Sequence, residues 1–175
     1  MLDDDIVEAA KILLTICKRK NLLVATAESC TAGLVAGTLT EVPGTSSILD
    51  RGFITYSNEA KHQMLGVPQE TLEKHGAVSA QTAEAMVRGV LGHSRVHLAV
   101  SVTGIAGPDG GNEKKPVGLV FFAAGTRGGK ILAVEKRYGA VGRSQVRKQS
   151  VLQAFRMLHE LAEGEDGNPP RKAVN

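Results

Sequence analysis

Two short, almost uninterrupted apolar runs constrain the fold of this chain more than any other feature. They occupy residues 22–26 (LLVAT) and residues 96–102 (VHLAVSV). Both have the length of a β-strand, and a strand that is apolar in consecutive positions must be covered on both of its faces. Helices are the usual cover for such strands, so the two runs favour a layered α/β domain.

Periodicity and capping residues predict the remaining elements. Residues 6–17 place apolar side chains on one helical face, with acidic residues before them and basic residues after them, as the helix dipole favours. A second helix is expected to begin within residues 28–31 and to run to about residue 39. The other predicted helices are residues 58–64, 69–74, 80–91 and 143–163, and the other predicted strands are residues 52–56, 117–124 and 131–138.

These elements predict a three-layer α/β/α domain around a five-stranded mixed sheet. The sheet is expected to be mixed because the last two strands can pair as an antiparallel hairpin across residues 125–129. A single domain is expected to span residues 1–163, since no linker or internal repeat divides the chain. Residues 164–175 are rich in Gly, Pro and charge, and we expect them to form a disordered tail.

The composition argues against several classes of protein. The net charge of +3 is mild and only 3% of the residues are aromatic, so we expect no nucleic-acid partner. Acidic residues 3–5 stand where a signal peptide would be basic, and no apolar run approaches the length of a membrane span. Cys17 and Cys30 form neither a disulfide framework nor a metal-binding spacing. We therefore expect a cytoplasmic protein that has no membrane partner.

Three polar segments follow predicted strands and are the places where chemistry is expected. They are residues 28–31, residues 55–61 and the glycine-rich residues 101–111. Ligands of open α/β sheets bind beyond the carboxyl ends of the strands, where such segments meet. The sequence therefore predicts a site built from these three loops.

The residue types in the first two loops leave several interpretations open. Ser29 is more often a helix cap than a nucleophile on general statistics, and as a nucleophile it would need a base. Lys61 could be that base if the fold buried it beside Ser29, although a solvated surface lysine is the commoner case. Cys30 is a rival nucleophile, because a helix N-terminus lowers the pKa of a thiol, or else a small buried hydrophobe.

The third loop and the last helix could bind an anion. Residues 104–111 match no nucleotide-binding motif, but their glycines could expose backbone N–H groups to an oxyanion or a phosphate. Arg143 stands at the predicted start of the last helix, where a guanidinium and a helix terminus together can clamp a phosphate. By contrast, Arg147, Lys148 and Arg156 are interpreted as a solvated face of that helix.

Taken together, the three loops resemble a known family. Residues 27–34 (AESCTAGL), 52–61 (GFITYSNEAK) and 102–111 (VTGIAGPDGG), followed by 115–118 (KPVG), are similar to the CinA C-terminal domain family, which includes the PncC amidohydrolases. The resemblance covers roughly residues 5–162. It implies an α/β/α fold and hydrolysis of nicotinamide mononucleotide to nicotinate mononucleotide and ammonia, with a nucleotide as the small-molecule substrate.

The resemblance also implies roles for individual residues. Ser29 matches the family's serine nucleophile, Lys61 its lysine partner and Tyr56 the tyrosine beside that lysine. Thr103 and Arg143 match polar positions of the same pocket.

From these roles we form a hypothesis about the reaction. Lys61 accepts the Ser29 proton, and Tyr56 relays or orients it. Backbone N–H groups near Cys30 and Thr31, or in the loop from Gly104 to Gly107, hold the oxyanion, while Arg143 grips the phosphate. The scheme needs no metal and no cofactor, and a homodimer or higher homo-oligomer is expected of a small α/β enzyme. The alternatives are a non-catalytic nucleotide-binding module and an amidase that depends on Cys30.

Overall fold

The computed structural model describes residues 4–166 of the chain. Its strands are β1 (Val24–Glu28), β2 (Leu49–Ile54), β3 (Leu98–Gly104), β4 (Leu119–Thr126) and β5 (Ile131–Arg137). Its α-helices are α1 (Asp4–Lys20), α2 (Leu34–Thr40), α3 (Asn58–Leu65), α4 (Gln69–His75), α5 (Ala80–His93) and α6 (Arg143–Gly164). Helix α6 thus includes the first residue of the predicted tail, and residues 167–175 of that prediction lie outside the described residues.

The strands form one five-stranded sheet in the order β2-β1-β3-β4-β5. β1 pairs in parallel with both β2 and β3, whereas β4 pairs antiparallel with both β3 and β5. Helices α1, α2 and α6 pack on one face of the sheet, and α3, α4 and α5 pack on the other. The predicted three-layer α/β/α fold with a mixed sheet is confirmed. Within residues 4–166, every helix falls short of the length or the apolar character that crossing a membrane requires.

The two apolar runs form β1 and β3, two of the three inner strands of the sheet. All five residues of β1 are buried, and β3 is buried up to its last residue, as expected for strands that are covered on both faces. On the other side of the sheet from α6, helix α5 also supports α3. A Cβ on Gly89 of α5 would overlap the backbone carbonyl of Leu65, so only glycine allows α3 to lie this close to α5.

The predicted bounds of β1, β2, β3 and β4 were wrong by two or three residues at each end, because ladder pairing and capping decide where a strand begins and ends. β1 was expected at residues 22–26 but continues to Glu28, which pairs with Ile54 of β2 and Val102 of β3. β2 was expected at residues 52–56 but ends at Ile54. The chain then turns so that the side chain of Ser57 can accept the Ala60 N–H at 3.0 Å and cap α3.

The C-terminal end of α6 is held by a lysine from the end of α1. The Lys20 Nζ donates hydrogen bonds of 2.8, 2.8 and 2.7 Å to the carbonyl oxygens of Ala162, Glu163 and Glu165. The last carbonyls of a helix have no partner within the helix, and a cation at this end also complements the helix dipole. Lys20 therefore joins the two long helices that cover one face of the sheet.

We expect Lys20→Met to lower the free energy of unfolding by about 1–2 kcal/mol, because it removes three charge-assisted hydrogen bonds at a partly exposed site. Urea denaturation followed by circular dichroism measures the change. The matched control is Lys11→Met on the same helix, since Lys11 makes only an exposed pair with Glu8 at 3.2 Å and should change stability by less than about 0.5 kcal/mol. Equal effects of the two substitutions would contradict the capping role.

Candidate active site

The carboxyl ends of the three parallel strands meet at one edge of the sheet and surround a cavity of about 250 Å³. The loops after β1, β2 and β3 form most of its wall, and the first residue of α6 closes it. Every site residue predicted from the sequence lines this cavity except Thr31. Those that line it are Ser29, Tyr56, Lys61, Thr103, Gly104, Gly107 and Arg143.

The centre of the cavity is a contact between Lys61 and Ser29. The Lys61 side chain points inward from α3 and is fully buried, at 0% exposure, so the solvated-lysine interpretation is wrong. Its Nζ lies 3.1 Å from the Ser29 Oγ, 2.8 Å from the Thr55 carbonyl oxygen and 3.5 Å from the Tyr56 carbonyl oxygen. A neutral amine can donate to the two carbonyls and still direct its lone pair at the serine hydroxyl.

Burial lowers the pKa of Lys61 to about 8, because an ammonium ion loses its hydration in the protein interior. The nearby thiol of Cys30 acts weakly in the opposite direction on this pKa. A substantial fraction of Lys61 is therefore neutral near physiological pH, which is the form that can accept a proton.

Ser29 does not cap a helix, contrary to the commoner interpretation of its position. It belongs to a turn that precedes α2, and the first turn of α2 is capped instead by the buried Glu28 carboxylate. That carboxylate accepts the N–H groups of Val35 at 3.0 Å and Ala36 at 2.9 Å. Because Glu28 takes the capping role, the Ser29 hydroxyl is left to face Lys61.

Cys30 lines the cavity beside Ser29, but its thiol is not activated. Burial raises the pKa of Cys30 to about 11, so the low pKa expected at a helix N-terminus is wrong. The reason is that α2 begins only at Leu34, so Cys30 lies in the turn and feels desolvation more strongly than a helix dipole. At neutral pH the thiol is protonated and matches the alternative interpretation as a small buried hydrophobe.

Tyr56 and Arg143 pair at the mouth of the cavity. The Arg143 guanidinium donates to the Tyr56 hydroxyl at 3.2 Å and to the Gly107 carbonyl at 3.0 Å. The Tyr56 side chain is exposed, and only its backbone carbonyl reaches Lys61. The predicted use of Tyr56 as a proton relay therefore has no support in this geometry, because its hydroxyl faces Arg143.

Three further predicted residues have roles that the structure explains differently. The buried Thr103 hydroxyl donates to the Ala77 carbonyl at 2.7 Å and fastens the loop before α5 to the cavity wall. Gly104 lies so near β4 that a Cβ would come within 2.7 Å of the Leu119 carbonyl oxygen, so strand packing requires this glycine. Thr31 is fully buried outside the cavity lining, so its side chain does not contact a ligand there.

The sequence interpretation missed two charged residues behind the Ser29 turn. One is Glu28, described above, and the other is Arg147, whose guanidinium donates to the Thr31 carbonyl at 2.9 Å. The interpretation of Arg147 and Lys148 as a solvated face was wrong, because Lys148 is mostly covered and pairs with Asp5 at 3.0 Å. The available signal was the spacing of Arg143 and Arg147, which places both on one face of α6.

No metal centre is evident in the part of the chain that the structure describes. Across residues 4–166, groups of three or more His, Cys, Asp or Glu side chains that could hold a metal ion are absent. The fold and the cavity together define an α/β/α domain with a buried serine–lysine pair at the carboxyl edge of its sheet.

Comparison with known proteins places this domain in a family. The model of the CinA C-terminal domain matches residues 7–162. The crystal structure of the competence/damage inducible protein CihA from Agrobacterium tumefaciens is similar with a TM-score of 0.91 and 52% identity, covering 92% of this chain and 98% of that one. The chain belongs to the CinA C-terminal domain family.

Among curated relatives, two groups differ in length. The nicotinamide-nucleotide amidohydrolase PncC of Escherichia coli K12 is 44% identical over 158 residues, which cover 90% of this chain and 95% of that protein. The protein of the same name from Enterobacter agglomerans is 47% identical over 77% of this chain and 82% of its own length. Relatives from Caldicellulosiruptor bescii and Acetivibrio thermocellus are longer, and this chain spans only 28% and 35% of their lengths.

We expect Glu28→Gln to destabilise the protein by about 2–3 kcal/mol, because the amide NH₂ would face one of the two backbone N–H groups that now donate to the carboxylate. The control is Thr26→Ser, which keeps the hydroxyl that donates to Glu28 at 3.0 Å and should cost less than about 1 kcal/mol. Urea denaturation measures both. If Glu28→Gln were as stable as the parent chain, the carboxylate would not be what holds the start of α2.

Proposed function

We propose that this chain hydrolyses the carboxamide of nicotinamide mononucleotide to give nicotinate mononucleotide and ammonia. Ser29 is the nucleophile and Lys61 is the general base. The observation that carries the proposal is the buried Lys61 Nζ, 3.1 Å from the Ser29 Oγ in the wall of the cavity. The Escherichia coli and Enterobacter agglomerans relatives are named as nicotinamide-nucleotide amidohydrolases, which supports the same activity.

In the first half of the reaction, the Ser29 Oγ attacks the carboxamide carbon while neutral Lys61 takes the hydroxyl proton. The C–N bond of the resulting tetrahedral species then breaks, and Lys61 returns this proton to the departing nitrogen, which leaves as ammonia. The product of this half is a nicotinoyl ester on Ser29. The positively charged pyridinium ring of the substrate withdraws electrons from the carbonyl, so a hydroxyl is a sufficient nucleophile.

In the second half, water attacks the ester carbon and gives a proton to Lys61, which is neutral again after ammonia has left. The C–O bond to Ser29 breaks, the Ser29 oxygen recovers a proton from Lys61, and nicotinate mononucleotide leaves. The same lysine therefore acts as base and acid in each half, for which a pKa of about 8 is suitable because both protonation states are accessible near neutral pH.

The negative charge of each tetrahedral species needs hydrogen-bond donors. The Cys30 N–H follows the nucleophile directly, which is a common position for an oxyanion donor. Within residues 4–166, neither this N–H nor that of Thr31 donates to a backbone acceptor of another residue. Cys30 lines the cavity whereas Thr31 lies outside its lining, so the oxyanion is assigned to the Cys30 N–H.

The substrate phosphate is assigned to Arg143 and the glycine-rich loop. Arg143 stands at the mouth of the cavity, and none of the ion pairs found among residues 4–166 includes it. Its bonds to Gly107 and Tyr56 orient the guanidinium while leaving other N–H groups for a phosphate oxygen. A homo-oligomeric state and a cytoplasmic location stay predictions.

We expect Ser29→Ala to lower kcat by at least about 10³-fold, because it removes the atom that forms the ester. Cys30→Ala should keep kcat within about threefold, since the buried thiol acts only through packing. Ammonia release from nicotinamide mononucleotide measures both variants.

Loss of activity in Cys30→Ala with full activity in Ser29→Ala would move the nucleophile to the cysteine. A parent chain that binds the nucleotide in calorimetry but releases no ammonia would be a binding module, which is the competing proposal. Nicotinamide riboside, tested in the same assay, shows whether the phosphate is needed, and free nicotinamide shows the effect of removing the ribose and the pyridinium charge as well.

We expect kcat/KM to rise with pH and to reach half of its plateau near pH 8, because only neutral Lys61 accepts the Ser29 proton and its pKa is about 8. The profile is measured from about pH 7 upward, so that the second ionisation of the substrate phosphate, at about pH 6, does not contribute to it. Lys61→Arg is the matched variant and should be inactive throughout, because a guanidinium stays protonated. A flat profile in the parent chain, or a falling one, would exclude Lys61 as the base.

A further inference from the structure

The first turns of α6 contact the site at two places through arginines four residues apart. Arg143 reaches the glycine-rich loop at the mouth of the cavity, and Arg147 reaches the back of the Ser29 turn. The proposed reaction uses Arg143 but leaves Arg147 without a role. Arg147 is partly buried, its Nε is fully covered without a hydrogen-bond partner, and none of the ion pairs found among residues 4–166 includes it.

The hydrogen bond from Arg147 begins a short relay that ends at the proposed oxyanion donor. The guanidinium donates to the Thr31 carbonyl at 2.9 Å. The N–H of that same peptide group belongs to Ala32, and it donates to the Ser29 carbonyl at 3.1 Å. The N–H of the Ser29 peptide group belongs in turn to Cys30. Two peptide groups therefore connect a cation to the Cys30 N–H, and each hydrogen bond in such a chain polarises the next.

The turn that carries this relay is not a relaxed one. Ala32 has a φ of 50° and Gly33 has a φ of 91°, so two consecutive residues occupy the left-handed region. An alanine in this region is strained, and such a conformation persists only where surrounding contacts hold it. Arg147 contacts the turn directly at Thr31, and Glu28 holds the helix that follows it.

We propose that Arg147 is a positioning residue, which fixes and polarises the Cys30 N–H for the oxyanion through the Thr31 and Ser29 peptide groups. This inference rests on the proposed function, because it assumes that Ser29 is the nucleophile. The charge of Arg147 acts most strongly when negative charge develops on the substrate oxygen. Its contribution is therefore to the transition state more than to substrate binding.

Arg147→Met, which keeps an unbranched side chain but removes its charge and donors, is expected to lower kcat about tenfold and to change KM by less than about twofold. Arg147→Lys should recover part of kcat because it keeps a cation. In Arg147→Ala, guanidinium chloride at about 20 mM, far below denaturing concentrations, should restore part of kcat. The assay is ammonia release from nicotinamide mononucleotide by the full chain, with thermal unfolding of each variant measured beside it.

The matched control is Arg156→Met, an exposed arginine of the same helix outside the cavity. It should keep the parent kcat and KM, and guanidinium should not stimulate it. The half-maximal pH of kcat/KM should be the same in Arg147→Met as in the parent chain, because Lys61 is not part of the relay.

Two outcomes would overturn this inference. One is an unchanged kcat in Arg147→Met. The other is a loss of kcat in Arg147→Met that equals the loss of folded protein and is restored neither by Arg147→Lys nor by guanidinium. Arg147 would then only support the fold. Ser29→Ala separates this failure from failure of the proposed function. If Ser29→Ala is inactive while Arg147→Met is fully active, only the role of Arg147 is refuted.

Discussion

The enclosure of one lysine amine is the constraint on which the arrangement of this site depends. Lys61 is fully buried, yet its Nζ is surrounded by three oxygen atoms, so the cost of removing it from water is partly offset. Its position requires α3 to lie against α5, which the absence of a side chain at Gly89 permits. The packing of two helices on the far side of the sheet thus sets both the distance from Lys61 to Ser29 and the protonation state of the amine.

The turn after β1 is the complementary half of the site, and it is held from both ends. Glu28 caps α2 and so releases Ser29 from the capping role that its position would otherwise give it. On the other side, α6 reaches the turn with Arg147 and the mouth of the cavity with Arg143. One helix therefore contacts both the Ser29 turn and the mouth of the cavity, and a shift of α6 would disturb both together.

Much of the fold could be predicted from local pattern, and the errors have identifiable causes. The apolar runs that became β1 and β3 indicated buried strands because their length and continuous apolar character suit a strand that is covered on both faces. The starts and ends of β1, β2 and α2 were misjudged because they depend on partners distant in sequence. From the sequence alone, Glu28 resembles a loop residue. In the structure its backbone pairs with β2 and β3, and its carboxylate caps the helix that begins at Leu34.

For the site, the sequence by itself determined which loops line the cavity, because polar segments after parallel strands meet at one sheet edge. The resemblance of the three motifs singled out Ser29 and Lys61. Only the tertiary structure decided which interpretation of each residue holds. In the structure, Ser29 faces Lys61 and does not cap a helix, and Cys30 is a buried, protonated thiol. Arg147, which was interpreted as part of a solvated face, contacts the back of the Ser29 turn. The physical reason is that burial and hydrogen-bond partners set the protonation and orientation of these groups, and both come from residues that are far apart in the chain.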